Sequence, residues 1–228
     1  MILFLWADVE ASGLFNLGLM AGVANDAGNI GAISGNINQE MKGVAGADVK
    51  EIETTYAPVF SMNLGYINDT LMVKAGWEYS TNVFYNSSGS ISSLGNINKI
   101  ELDYSRYTFP ISLGIVIPLT NRNRLYFAGG LDMSYVVMKI RQSNPDPAVL
   151  LSRYPGESHT FSAYITGKHL NFGADALISR NYSFSMEFTK YFGNDKKVVS
   201  EDENSVTRLT VNSFEITAGA KYNIDFKI

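Results

Sequence analysis

The chain has 228 residues, 18 basic and 22 acidic side chains, a formal net charge of −4, 20 glycines and no cysteine. The acidic balance excludes the basic face that nucleic acid requires, and the missing cysteines exclude disulfide frameworks and thiolate metal sites. No run approaches the ~18 apolar residues of a membrane helix, so any membrane crossing has to be made by strands.

Residues 1–11 read as a signal-peptide remnant or an N-terminal tail. Met1-Ile2-Leu3-Phe4-Leu5-Trp6-Ala7 resembles the end of a secretory h-region with no basic residue before it. Residues 12–228 read as one domain of eight extended ribbons, each with an oily and a polar side, because strand side chains alternate with period two. The first, 13–23, sets Phe15, Leu17, Leu19, Ala21 and Val23 against Asn16, Gly18, Met20 and Gly22. The second, 56–67, sets Tyr56, Phe60, Met62, Leu64 and Tyr66 against Ala57, Ser61, Asn63 and Gly65. In the third, 70–80, Leu71, Val73, Ala75, Trp77 and Tyr79 oppose Met72, Lys74, Gly76, Glu78 and Ser80.

The fourth ribbon presents Tyr107, Phe109, Ile111, Leu113, Ile115 and Ile117 against Arg106, Thr108, Ser112 and Gly114. The fifth has Leu125, Phe127, Leu131, Met133, Tyr135 and Val137 opposite Tyr126, Ala128, Gly130, Asp132 and Ser134. The sixth has Leu170, Phe172, Ala174, Ala176 and Ile178 opposite His169, Asn171, Gly173 and Asp175. Upstream of it Phe161, Ala163 and Ile165 fall on the other parity, which predicts a β-bulge at Gly167 with the strand pair rising above the membrane. The seventh sets Tyr182, Phe184, Met186 and Phe188 against Ser183, Ser185, Glu187 and Thr189. In the eighth, Phe214, Ile216, Ala218, Ala220, Tyr222 and Ile224 oppose Glu215, Thr217, Gly219, Lys221 and Asn223.

The connections alternate in length. Those at 67–70, 120–124 and 179–182 are tight and polar; those at 24–54, 81–103, 139–166 and 193–209 are long. With segments of about 9–11 residues, this predicts an all-β, eight-stranded antiparallel up-and-down transmembrane β-barrel, short turns and both termini at one side and four loops at the other. A ten-stranded layout is the alternative. Pro58 and Pro110 cannot donate to a ladder, so each predicts a bulge or a missing bond.

Charge decides which face points inward. Lys74, Glu78, Arg106, Asp132, Asp175, Glu187, Glu215 and Lys221 all lie on the polar side, and a basic residue against lipid at midplane costs about 2–4 kcal/mol. They form a lumen charge network, in which Lys74 and Glu78 are near neighbours on one strand and Arg106 and Lys221 need acids from other strands. Aromatic residues band the oily face in two membrane-interface girdles: Tyr66, Tyr182 and Tyr222 near the short turns, and Trp77, Tyr79, Tyr107 and Tyr135 near the loops. Lys190, on the same face near the outer rim, can snorkel towards headgroups.

In these features the chain resembles the small outer-membrane β-barrel superfamily of diderm bacteria, the OmpA-type, OmpX-type and opacity-type barrels. The most specific part is Thr217-x-Gly219-x-x-Tyr222-x-Ile224, with Phe226 on the same face, which resembles the terminal-strand signal read by the barrel assembly machinery. The resemblance implies a bacterial outer-membrane location with periplasmic termini, outer-membrane lipid as the surroundings, and assembly-machinery contact during biogenesis. Neither the His-x-Ser arrangement of lipid A deacylase barrels nor the Asp-Ser pair of palmitoyltransferase barrels is present, because position 161 is Phe and no such pair occurs. No enzyme activity, cofactor or metal is expected. The expected function is a structural or surface-interaction (adhesin-like) protein with a plugged lumen, meeting any extracellular ligand through loops 24–54, 81–103, 139–166 and 193–209. The alternative is a narrow porin-like channel for ions or small hydrophobic solutes.

Overall fold

Every one of the eight ribbons becomes a strand of one closed ring. The computed structural model describes residues 13–25, 31–53, 56–82, 87–144, 146 and 149–226; the segment 1–11 lies outside these. In chain order the elements are β1 (Gly13–Asn25), α1 (Ala32–Lys42), β2 (Asp48–Lys50), β3 (Ala57–Ile67), β4 (Leu71–Thr81), β5 (Ser88–Ser93) and β6 (Asn96–Pro118). There follow β7 (Asn123–Gln142), β8 (Ser158–Ser179), β9 (Tyr182–Gly193), β10 (Lys196–Val199), β11 (Val206–Leu209) and β12 (Phe214–Phe226). The ring runs β6-β4-β3-β1-β12-β9-β8-β7 and closes through β6–β7, antiparallel throughout.

Following Cα partners once round the ring leads from Leu14 through Ile67, Met72, Gly114, Ala128, Asn171, Thr189 and Glu215 to Ala24. The path returns to β1 ten residues further along, so the strands are tilted by roughly 40° to the barrel axis. The apolar parity points outward: Leu19, Ile111, Leu113 and Leu131 are each more than 60% exposed. A belt of that size on every strand is a lipid-facing surface, since water-soluble monomers rarely expose more than a few hundred Å² of contiguous apolar patch.

Three strands are about twice the length a membrane needs: β6 has 23 residues, β7 20 and β8 22. Much of the regions 81–103 and 139–166 is therefore strand, not loop. Where β4 ends at Thr81, β5 takes over the edge of β6, and β2 pairs outside β5. The inner face of this raised wall is apolar. Leu102, Tyr104, Val136, Met138, Ile140, Phe161 and Ile165 are buried there, with α1 laid over them through Ile33, Ile37 and Met41. Those three sit at i, i+4 and i+8, one stripe of a helix.

The parity change in β8 has a different cause from the one the pattern suggested. Pairing of β8 with β7 is unbroken from Asn123↔Ala176 to Arg141↔Ser158, and pairing with β9 is regular at Gly167. There is no bulge at Gly167; the irregularity in β8 falls between Leu177 and Ser179. Instead the two faces exchange character. Below the row Tyr107–Tyr135–Tyr164 the outside is apolar and the inside polar; above it Asp103, Lys139 and Arg141 point out and the inside is apolar.

Candidate functional site

The inner face of β6, β7 and β8 can be taken row by row from the wall top downwards. Leu102–Ile140–His159 and Tyr104–Met138–Phe161 are largely apolar, and Arg106–Val136–Ala163 and Thr108–Ser134–Ile165 are transitional. Pro110–Asp132–Gly167, Ser112–Gly130–His169, Gly114–Ala128–Asn171 and Val116–Tyr126–Gly173 then carry the polar lumen. Several rows set a large side chain beside a glycine. A Cβ on Gly173 would lie 2.2 Å from the Tyr126 ring, one on Gly130 2.7 Å from the His169 ring, and one on Gly167 2.9 Å from Asp132 Oδ1. The glycines are the space in which neighbouring side chains lie flat against the wall.

All eight predicted lumen charges point inward, and all but Glu78, which is half-buried, are buried. Seven of them form two groups. In the lower one Lys74 is ion-paired with Glu187, while Lys221 Nζ lies 3.0 Å from Asp175 Oδ1 and 3.4 Å from Glu187 Oε1. Tyr126 donates to Glu187 at 2.7 Å and Asn171 at 3.1 Å, and Arg124 Nε stands 3.7 Å from Asp175. In the upper group Arg106 is ion-paired with Glu215 and its guanidinium carbon sits 5.3 Å from the Tyr191 ring centre. The Tyr191 hydroxyl donates to Glu78 at 2.5 Å.

Arg106 and Lys221 do find acids on other strands. The Lys74 ammonium crosses the lumen to β9 instead of bonding its strand neighbour Glu78, because four residues along a strand span about 13 Å. Sequence reasoning missed Tyr126, Tyr191 and Arg124. The polar parity of Tyr126 was a usable signal; the role of Tyr191 depends on the height to which β9 rises.

Asp132 stands apart from both groups. Its Oδ2 is 3.4 Å from His169 Nδ1, and His169 Nε2 is 2.8 Å from Ser112 Oγ across Gly130. The order acid, imidazole, hydroxyl is that of a hydrolase relay, but Ser112 is only 2% exposed. A hydroxyl closed in by Gly130 and His169 offers no place for a substrate carbonyl, and the chain of contacts ties β6, β7 and β8 together.

At the short-turn end the lumen opens into a cavity of about 560 Å³ bordered by Asn68, Asp69, Arg122 and Arg124, floored by Leu14, Ile67 and Val116. The ladder between β4 and β6 runs from Leu71↔Ile115 to Ala75↔Ile111 and resumes at Glu78↔Thr108 in the same register. Opposite Pro110 and Phe109, Gly76 and Trp77 are unpaired with β6, the missing bonds expected of this proline. Pro58 sits past the last β3–β4 partner pair, Val59↔Ser80.

On the outside, Tyr182 and Tyr222 pack at 5.3 Å and Tyr66 at 5.3 Å from Phe15 near the short turns. Trp77, Tyr79 and Tyr107 cluster at 4.9–6.5 Å near the other rim, and Tyr135 meets Tyr164, absent from the predicted set, at 4.8 Å. Tyr79, Tyr107, Tyr135 and Tyr164 are successive register partners, so on tilted strands they climb by about 3 Å per strand. In β12, Thr217 turns inward and Tyr222 and Ile224 outward. Phe226 aligns with Gly13, and its side chain lies outside the described residues.

Protein-family models do not match the chain, and no curated protein sequence does. Solved structures do. OprG from Pseudomonas aeruginosa superposes with TM-score 0.54 at 13% identity over 94% of this chain and 97% of that one. Neisserial surface protein A gives 0.51 at 11% identity, over 93% and 97%. The chain has the fold of the small outer-membrane β-barrels. A major outer membrane protein from Thermus thermophilus has the same barrel fold, with TM-score 0.52 and 12% identity over 93% and 99%. Within this outer-membrane barrel fold, the apolar belt is the lipid-facing wall and the charged rows are the lumen.

Proposed function

We propose that the protein is an integral outer-membrane barrel, termini on the periplasmic side, whose lumen is plugged and which serves as a structural or surface-interaction (adhesin-like) protein. The observation that carries this reading is the inversion of the inner face above the tyrosine row. A solute entering from the loop side meets α1 and a packed apolar cluster, then two ion-paired groups. Such a plug specifies closure more than it adds stability. The raised wall of β6, β7 and β8, with Lys139, Arg141, Glu101 and Asp103 turned outward, supports an interaction role beyond the membrane. The resemblance of the terminal strand supports delivery by the barrel assembly machinery.

A second reading has its own observation. The interrupted β4–β6 ladder at Pro110 is a weak point in the wall, and it favours a narrow channel for ions or small hydrophobic solutes. Conductance of the refolded protein in a planar bilayer separates the two. Silence from demonstrably inserted protein is expected. Discrete openings that change in Lys74→Ala or Glu215→Ala would overturn the plug and establish a pore.

A further inference from the structure

Among the described residues, the outward face between the short turns and the tyrosine row carries two charged side chains, Lys168 and Lys190. Both are positive, and they are diagonal neighbours: Lys190 aligns with Leu170, two residues from Lys168, and Lys168 aligns with Phe192. Among the described residues neither has a carboxylate partner. Lys190 bonds the Asn212 side-chain oxygen at 2.6 Å and lies 5.6 Å from the Phe192 ring centre; Lys168 is exposed. Further towards the loops, four residues along β8 from Lys168, Lys196 bonds the Tyr164 carbonyl at 3.2 Å. Leu131 stands beside Lys168 and Leu170 beside Lys190, with Phe172 and Phe188 in the next outward row, all four exposed.

Two cationic side chains at neighbouring positions of a lipid-facing wall repel one another and lose hydration, and the cost falls towards zero only near the headgroups. A single anion bridging them removes both penalties. We propose that Lys168 and Lys190 form a docking site for the phosphorylated headgroup of a lipid in the leaflet nearest the loops, its acyl chains lying on Leu170, Phe172 and Phe188. This inference rests on the membrane reading above. A phosphate is favoured over a carboxylate because it offers separate oxygens to both ammonium groups and carries more charge. Each lysine close to an anionic membrane surface contributes about 1 kcal/mol, so losing two weakens binding roughly 30-fold.

The test uses the whole refolded chain, its folding verified by the shift of the unboiled gel band and its insertion by co-flotation with vesicles. Wild type, K168Q/K190Q and the control K197Q/R208Q, whose charges lie on the exposed β10–β11 hairpin, are titrated with bisphosphorylated lipid A. The same lipid without phosphates is titrated in parallel. The expected result is binding by wild type and control, roughly 30-fold weaker binding by K168Q/K190Q, and no difference among the three for the phosphate-free lipid. Equal affinity of wild type and K168Q/K190Q for the phosphorylated lipid, in protein that has inserted, overturns the docking site and leaves the membrane reading intact. Failure of wild type to float with vesicles overturns both.

Discussion

Replacing Glu187 tests the lower lumen group most directly. This carboxylate receives Lys74, the Tyr126 hydroxyl at 2.7 Å and the Asn171 amide at 3.1 Å, with Lys221 3.4 Å away. In Glu187→Leu the losses are unequal. Lys221 keeps Asp175 at 3.0 Å, Tyr126 keeps Ser185 at 3.2 Å and Asn171 keeps Thr189 at 2.7 Å. Lys74, itself buried, is left without its carboxylate. An uncompensated buried charge costs about 3–5 kcal/mol, whereas removing both partners of a buried pair is often close to neutral. Urea unfolding of the refolded protein in lipid vesicles should therefore show Glu187→Leu destabilised by about 3–5 kcal/mol. The Lys74→Met/Glu187→Leu double variant should recover much of that loss, a coupling of about 1–3 kcal/mol. Additivity of the two single effects within about 0.5 kcal/mol would refute the pairing. A Glu187→Leu protein as stable as wild type would refute the filled lumen itself.

Gly173→Ala places a methyl 2.2 Å from the Tyr126 ring, whose hydroxyl is tethered to Glu187, so overpacking should cost about 1–3 kcal/mol. Gly129→Ala, on the outward face with its nearest neighbour 3.4 Å away, should unfold within about 0.5 kcal/mol of wild type in the same urea series. At the loop end, the hydrogen bond from Ser200, and then the adjoining His159 ring 3.0 Å away, hold the Asp202 carboxyl below the usual carboxylate range. A group depressed on folding stabilises above its unfolded pKa of about 4 and loses that contribution as pH falls through the lower folded value. Limited proteolysis should accordingly show the turn at 200–205 nicked faster in Asp202→Asn than in wild type at pH 7, the difference closing only well below pH 4. A gap between the two that is unchanged at the lowest pH would contradict this latch.

The eight membrane-crossing strands, their outward face and the inward placement of all eight lumen charges were legible in residues 13–228, because a strand in lipid keeps its charges off the lipid-facing parity except close to the headgroups. The short turns and the ladder gap at Pro110 were equally local, fixed by turn chemistry and by proline's missing N–H. Partner choice was not local. Lys74 bonds Glu187, 113 positions away, and Arg106 bonds Glu215, 109 positions away, pairings set by the ten-residue stagger of the ring. Period two says which face a residue takes and nothing about which strand stands opposite. The parity change in β8 shows the same limit: a bulge and an inversion of environment give the same sequence pattern. Only the tertiary structure, by carrying β6, β7 and β8 on beyond the lipid and laying α1 over them, makes the oily side the inner one. Once a strand leaves the membrane, water replaces lipid outside, and the apolar side chains can be buried only within.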